Sequence, residues 1–277
     1  MTLQPLATLD PADDDRPTPG WCHAEVLVNR PLTGRYHHLR LAAPGIAASA
    51  RAGQFVMLTA AKDESAGPVL PRPMAIYTRD AVSGVVDVLY AVVGQGTRAL
   101  STFAPGERMV VVGPLGRGFA VRSRTSRVLV LGRGIGTCSL TCVAQDLAPG
   151  PVELFAVTSG RDPGSVIGAE LFREHGAAAV WAVNDAEGTS DVSALRALLC
   201  GELDGRPPQQ ILTCGSERLA RLCGELGERW GASVQVSLEA HMACGLGYCH
   251  GCSTGGSTGA EESPLVCRDG PVFRLVP

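Results

Sequence analysis

The sequence predicts a multidomain chain of α+β and α/β type: an antiparallel β-barrel, a Rossmann-like parallel α/β unit, and a small C-terminal segment built around cysteines. Three observations carry this expectation. Residues 21–121 alternate short β-rich runs with Gly and Pro turns. From Arg127 onward the texture changes to strand, Gly-rich turn and helix. Near the end, Cys244, Cys249, Cys252 and Cys267 stand as C-x4-C-x2-C-x14-C. Closely spaced strands without long helices are the pattern of a small barrel, whereas strand–helix alternation is the pattern of a parallel sheet with both faces covered.

Taken in order, residues 1–19 contain four prolines and the run Asp13-Asp14-Asp15 without apolar periodicity, which predicts a flexible leader. The barrel is expected over 20–122, with strands at 24–30, 36–42, 54–60, 74–79, 85–93 and 108–113. The α/β unit is expected over 123–238. It opens with a strand at 127–132, a glycine turn at 132–136 and a helix at 137–148. Strands at 152–158, 179–183, 209–214 and 233–239 follow, with helices near 169–175, from about 190 to 200, and through Trp230. The cysteine segment, 239–277, comes directly after the last of these strands. No internal repeat is present.

Composition bounds the function. The chain has 277 residues, 45% hydrophobic, enough to bury a core for two domains plus an appendage. A net charge of −3 without a Lys/Arg-rich run leaves no electrostatic footprint for nucleic acid. No apolar run approaches the roughly 20 residues needed to cross a bilayer, and no export signal precedes the first strand, so neither membrane nor secretion is expected and the cytoplasm is the expected compartment. Ten cysteines in such a chain point to metal ligation rather than disulfides. Six of them, Cys22, Cys138, Cys142, Cys200, Cys214 and Cys223, show no ligand spacing and read as small buried hydrophobes.

The other four are an iron–sulfur pattern. Three thiolates within nine residues, with a fourth downstream, match the ligand spacing of a 2Fe–2S cluster, whereas structural zinc usually takes two separated close pairs. Gly245, Gly247 and Gly251 permit tight turns around an inorganic core and aim amide N–H groups at sulfur. A Rieske centre requires two histidine ligands, so His250 reads as a bystander.

Two further motifs carry chemistry. Arg72-Pro73-Met74-Ala75-Ile76-Tyr77 resembles the flavin-binding segment of the ferredoxin-reductase superfamily, in which an Arg guanidinium neutralises the flavin pyrophosphate. The bland alternative is a turn followed by an ordinary strand. Tyr90-Ala91-Val92-Val93-Gly94-Gln95-Gly96-Thr97 reads as strand, Gly-x-Gly turn and hydroxyl at a helix start, suited to a phosphate. Gly113-Pro114-Leu115-Gly116-Arg117-Gly118-Phe119 follows as an interdomain turn.

These motifs, the turn Gly132-Arg133-Gly134-Ile135-Gly136, and the cysteine quartet ending in Cys267-Arg268-Asp269-Gly270-Pro271 together resemble the electron-transfer subunits of class 1B dihydroorotate dehydrogenase over residues 21–277. The resemblance implies FAD held by Arg72, Pro73, Met74, Ala75, Tyr77, Val93, Gly94, Gly96 and Thr97. It implies NAD(H) or NADP(H) at Gly132, Gly134, Gly136, Cys214 and Gly215, and a 2Fe–2S cluster on Cys244, Cys249, Cys252 and Cys267. It also implies docking on a separate FMN-containing catalytic subunit, as a heterotetramer, in pyrimidine biosynthesis. No catalytic acid, base or nucleophile stands out in the chain itself.

The chain also departs from that family. Arg133 stands where the family usually has glycine, either gripping a phosphate or filling space the dinucleotide needs. Cys138-Ser139 replaces an expected proline. Ser216 replaces a proline after Cys214-Gly215, and 184–188 shortens an Asp/Gly-rich loop. Ala75 stands in place of a serine and Ala91 in place of a basic residue; losing one neutral hydrogen bond costs about 1 kcal/mol. Other readings are the same relay serving a different flavoenzyme with weakened nucleotide binding, a structural or regulatory partner subunit, and a zinc module.

Overall fold

The computed structural model describes residues 6–10, 16–62, 70–148, 150–255 and 263–276. Its first sheet is antiparallel and seven-stranded. In chain order the strands are β2 (Gly20–Pro31), β3 (Tyr36–Ala42), β4 (Phe55–Leu58), β5 (Arg72–Ala75), β6 (Thr78–Asp80), β7 (Val85–Ala91) and β8 (Arg108–Leu115); in space they run β5-β4-β8-β2-β3-β7-β6. β5 and β6 occupy opposite edges, yet only Ile76 and Tyr77 separate them in the chain. The sheet must therefore curl back on itself.

Where one strand is expected over 74–79, the chain makes two. The Ile76 amide donates to Gln54 O (3.2 Å), beside β4, and the next amide, Tyr77, donates to Asp87 O (2.8 Å) on β7. A continuous strand cannot serve both edges, so it breaks between them. No β5–β6 ladder closes the curl among the described residues. Two short helices unmarked or only half-marked in the sequence, α1 (Pro44–Ser49) and α2 (Gln95–Leu100), pack on the barrel, with Ile46, Ala47 and Leu100 in its apolar cluster.

The second sheet holds β9 (Arg127–Arg133), β10 (Glu153–Gly160), β11 (Ala179–Asn184), β12 (Gln210–Cys214) and β13 (Ser233–Ser237), all parallel in the order β11-β10-β9-β12-β13. Helices cover both faces, and the strand residues divide between them. Val128 and Val130 meet α3 (Cys138–Leu147) and α4 (Ala169–Glu174); Leu129 and Leu131 meet α5 (Val192–Leu203) and α6 (Glu217–Trp230). α5 buries Leu195, Leu199 and Leu203 at four-residue spacing, one helical stripe. Each such leucine contributes roughly 1.5–3 kcal/mol of apolar burial.

The two sheets share a core: Val26, Leu39 and Val111 of the barrel belong to the same apolar cluster as Leu140, Cys142 and Val143 of α3. The connecting residues are held in place by Gln210, whose Oε1 accepts from Arg122 N (2.9 Å), and Gln235, whose Oε1 accepts from Ala120 N (3.0 Å).

Two strands come from outside the expected α/β boundaries. β14 (Val272–Leu275), from the cysteine segment, pairs antiparallel with β13, and β1 (Leu6–Ala7) pairs antiparallel with β14. Of the expected leader, residues 1–5 and 11–15, with the Asp13-Asp14-Asp15 run, lie outside the described residues. Residues 6–10 depart from that expectation: Leu6 and Ala7 are paired, Leu9 is buried, and Leu9 O accepts from Arg117 Nη1 (3.0 Å). Apolar Leu6 and Leu9 find an edge strand and a cleft, which local composition does not reveal. No described helix is long and apolar enough to cross a membrane.

Candidate functional site

The cysteine loop packs on the outer face of the barrel. Cys252, Leu265, Val266 and Cys267 share an apolar cluster with Phe55, Met57 and Leu115 of β4 and β8. Gly245 has φ +70°, and a Cβ there would fall 2.6 Å from Met57 Cγ, so both its backbone and its closeness to the barrel require glycine. A bridge between Ser253 and Leu265 folds the downstream cysteine back onto the first three.

The four thiols come together in two pairs. Cys249 lies beside Cys244, and Cys267 lies beside Cys252 and, across the two pairs, near Cys244; all four are free thiols. The Leu246 amide donates to Cys244 Sγ and the Cys267 amide to Cys252 Sγ, both at 3.4 Å. Among the described residues no three His, Cys, Asp or Glu side chains converge as ligands of one metal ion would. Two thiols facing two thiols is the donor set of a dinuclear cluster. Burial opposes ionisation of Cys244, but N–H groups of Leu246, Cys249 and Tyr248 outweigh it and bring the thiol down to about 7. Burial and neighbouring Cys252 drive Cys267 up to about 12. A buried thiol of that kind ionises when a cation compensates it, which is what a bound iron supplies. His250 is exposed, with φ 55°.

A cavity of about 340 Å³ opens between the barrel, the start of α3 and the chain after β13. Pro73, Met74, Ala75, Val93 and Thr97, all expected flavin contacts, line it. Arg72 and Gly96 meet beside it: a Cβ on Gly96 would overlap the Arg72 guanidinium. Thr97 Oγ1 accepts from the amides of Val93 (2.9 Å) and Gly94 (3.1 Å), fixing the turn into α2. Largely apolar walls with a few polar groups among them suit a planar aromatic ligand, and the volume lies within the ordinary range for such sites. Tyr77 is not part of the wall. It packs with Tyr36, Leu89, Cys138 and Ile167, and burial raises its phenol well above the usual value. Gly94 begins α2 and does not line the cavity.

A second cleft, about 450 Å³, lies at the carboxyl ends of β9 and β10 and includes Gly134 and Gly215. The other expected glycines act by packing. A Cβ on Gly132 would lie 2.6 Å from Thr137 Oγ1, and one on Gly136 2.5 Å from Gly215 Cα. Cys214 is buried behind the cleft, its thiol pushed up to about 12 by burial and by Glu239. Arg133 also reaches the cleft, with its guanidinium turned toward β10 and β11.

Arg35, Ile135 and Glu239 line both the cavity and the cleft, so the two spaces meet. Sequence reading missed Arg35 and Glu239. Neither lies in a glycine turn or a ligand spacing, and the only signal was the position of Glu239 at the end of a strand leading to the cysteines. Burial raises the Glu239 carboxyl above the ordinary glutamate value.

Comparison with known proteins places these features. Residues 239–276 match the family model described as the iron–sulfur cluster binding domain of dihydroorotate dehydrogenase B. The chain is 31% identical over 251 residues to a Desulforamulus reducens protein named dihydroorotate dehydrogenase B (NAD(+)), electron transfer subunit, covering 90% of this chain and 95% of that one. It is 33% identical over 256 residues to the Bacillus caldolyticus protein of the same name, with the same coverage. Among solved structures, one of an NADH-dependent reduced ferredoxin-NADP oxidoreductase superposes with a TM-score of 0.75 at 24% identity, covering 91% of this chain and 88% of that one. A ferredoxin reductase of carbazole 1,9a-dioxygenase gives 0.60 at 19% identity, covering 75% and 65%. These two likenesses are of fold.

Proposed function

The chain belongs to the family of dihydroorotate dehydrogenase B electron transfer subunits, and we propose that it relays electrons between a nicotinamide dinucleotide, FAD and a 2Fe–2S cluster, in exchange with a separate catalytic subunit. One observation carries this reading: the three sites are contiguous and the flavin cavity is the middle one. It shares Arg35, Ile135 and Glu239 with the nucleotide cleft, and its wall residue Phe55 also packs in the cluster that buries Cys252 and Cys267.

When bound, FAD exchanges electrons in pairs as hydride or singly, and a 2Fe–2S cluster carries one at a time. The protein's part is to bind and orient. Arg72 supplies the cation for the flavin pyrophosphate beside the Gly96 turn, and Pro73, Met74 and Ala75 form an apolar wall that excludes water. Ala75 offers no side-chain hydrogen bond in that wall. Gly134 and Gly215 leave backbone open to a dinucleotide. Cys244, Cys249, Cys252 and Cys267 would hold the cluster through their thiolates. On this reading the units are a flavin barrel over 20–122, a nucleotide unit over 123–238 completed by β14 and β1, and a cluster loop from 239. The partner carries FMN, pairs with this chain as a heterotetramer, and performs the chemistry on dihydroorotate.

The test is an anaerobic titration of the full chain, cofactor content verified, with NADH and then NADPH, recording flavin and iron–sulfur absorbance. Bleaching of both chromophores is the expected result. Centres that dithionite reduces and neither nucleotide touches would overturn the nucleotide end of the relay.

A further inference from the structure

Arg133 lies within the glycine turn Gly132-Arg133-Gly134-Ile135-Gly136, and the structure shows where its guanidinium goes. It reaches across the carboxyl ends of β10 and β11. Nη1 donates to Ser159 Oγ (2.9 Å) and Asp185 Oδ1 (3.2 Å), and Nη2 pairs with Asp185 Oδ2. Asp185 is engaged from the other side as well: Arg218 Nη2 donates to Oδ1 (2.9 Å), as does the Ser190 hydroxyl. The bonds from Arg133 and Ser190 hold the Asp185 carboxyl far below the usual carboxylate range.

This network bears on how the cleft tells dinucleotides apart. In nucleotide-binding α/β sheets, an acidic side chain beyond a strand end accepts from the free 2′-hydroxyl of NAD, whereas an arginine accommodates the 2′-phosphate of NADP. Asp185, which follows β11 directly, has both oxygens already occupied by Arg133, Arg218 and Ser190. The guanidinium of Arg133 has five N–H donors, and those on Nε and one on Nη2 take no part in these bonds. Arg161 and Arg35 line the same cleft, whose acids are Asp162 and Glu239. Asp162 caps the turn at Ser165, its Oδ1 accepting from Ser165 N (2.9 Å).

Resting on the reading that a dinucleotide occupies this cleft, we propose that Arg133, braced by Asp185 and Arg218, selects a 2′-phosphorylated dinucleotide, so that NADPH rather than NADH is the preferred nucleotide of this chain. The relatives' printed name specifies NAD(+), and the preference proposed here differs from it through the Arg133 side chain. A carboxylate braced by two arginines keeps the guanidinium fixed, so a 2′-phosphate gains charge-assisted bonds without first ordering the side chain.

The experiment measures binding, not turnover. Calorimetric titration of the full, cofactor-loaded chain with 2′,5′-ADP and with 5′-AMP isolates the 2′-phosphate. The expected result is tighter binding of 2′,5′-ADP by about tenfold or more, one charge-assisted contact's worth, with the ratio falling toward one in Arg133→Gly while 5′-AMP binding is retained. Arg133→Lys, which keeps the charge but not the fork, should give an intermediate ratio. Equal or tighter binding of 5′-AMP by the unaltered chain would overturn the specificity and leave the nucleotide reading standing. Binding of neither would overturn both.

Discussion

The guanidinium of Arg72 lies against Gly96, 24 positions later in the chain, so closely that no side chain fits between them. Two motifs that read separately as phosphate-binding segments are thus one site. Gly96→Ala should displace the arginine, a flexible side chain, without breaking backbone contacts. Ala in place of Gly within α2 favours the helix by up to about 1 kcal/mol. The expected outcome is an unchanged or slightly raised melting temperature with flavin retention weakened about tenfold or more, matched by Arg72→Ala. Flavin content after gel filtration, beside a thermal melt, checks it; full retention in both variants would remove Arg72 from the site.

Gly136 presents the opposite case. Its Cβ would meet the backbone of Gly215, which cannot swing aside. Gly136→Ala should therefore push apart the turns after β9 and β12 and cost roughly 1–3 kcal/mol, as overpacking does. A lowered urea midpoint together with lost nucleotide binding is expected. An unchanged midpoint would mean that the close approach is not needed.

Cys249 is the exposed member of the quartet, so Cys249→Ser tests ligation with little disturbance of the core. Iron and acid-labile sulfide should both fall to near zero, with loss of the visible iron–sulfur bands. Cys200→Ser, on α5 and far from the spacing, should leave both unchanged. Electron transfer in the complex should stop in the first variant only. Persistence of transfer without the cluster would favour a purely structural partner subunit, and stoichiometric zinc in a colourless protein would favour the zinc module.

Glu239 gives a pH signature. Burial raises its carboxyl above the ordinary value of 4.5, so the folded chain holds that proton more tightly than the unfolded one. Its contribution is then complete below the ordinary value and is lost as pH rises through the raised one. Glu239→Gln should flatten stability across that window and be relatively more stable than the unaltered chain at neutral pH. Thermal melts of both across the window decide it; identical curves would show that the carboxyl ionises freely.

Much of this was legible in the chain. The cysteine spacing, the strand–turn–helix alternation and the two flavin motifs each depend on residues close in sequence. They predicted the parallel sheet and the antiparallel sheet, and five of the residues they single out, Pro73, Met74, Ala75, Val93 and Thr97, line part of the cavity. Local patterning failed at Tyr77, which continues an apparently unbroken strand but joins the opposite sheet edge. It also failed at Leu6–Ala7 and Val272–Leu275, short segments that pair with each other from opposite ends of the chain.

The sequence by itself determined which chemical groups are present and the short-range geometry around them, because spacing along a strand, turn or cysteine loop is set by the covalent chain. Only the tertiary structure decided which groups face one another. The fusion of cavity and cleft at Arg35 and Glu239, the overlap of Arg72 with Gly96, and the clasp of Arg133 on Asp185 and Arg218 all join residues from separate elements. Such contacts arise when curled and parallel sheets pack around one core, and no local pattern encodes them.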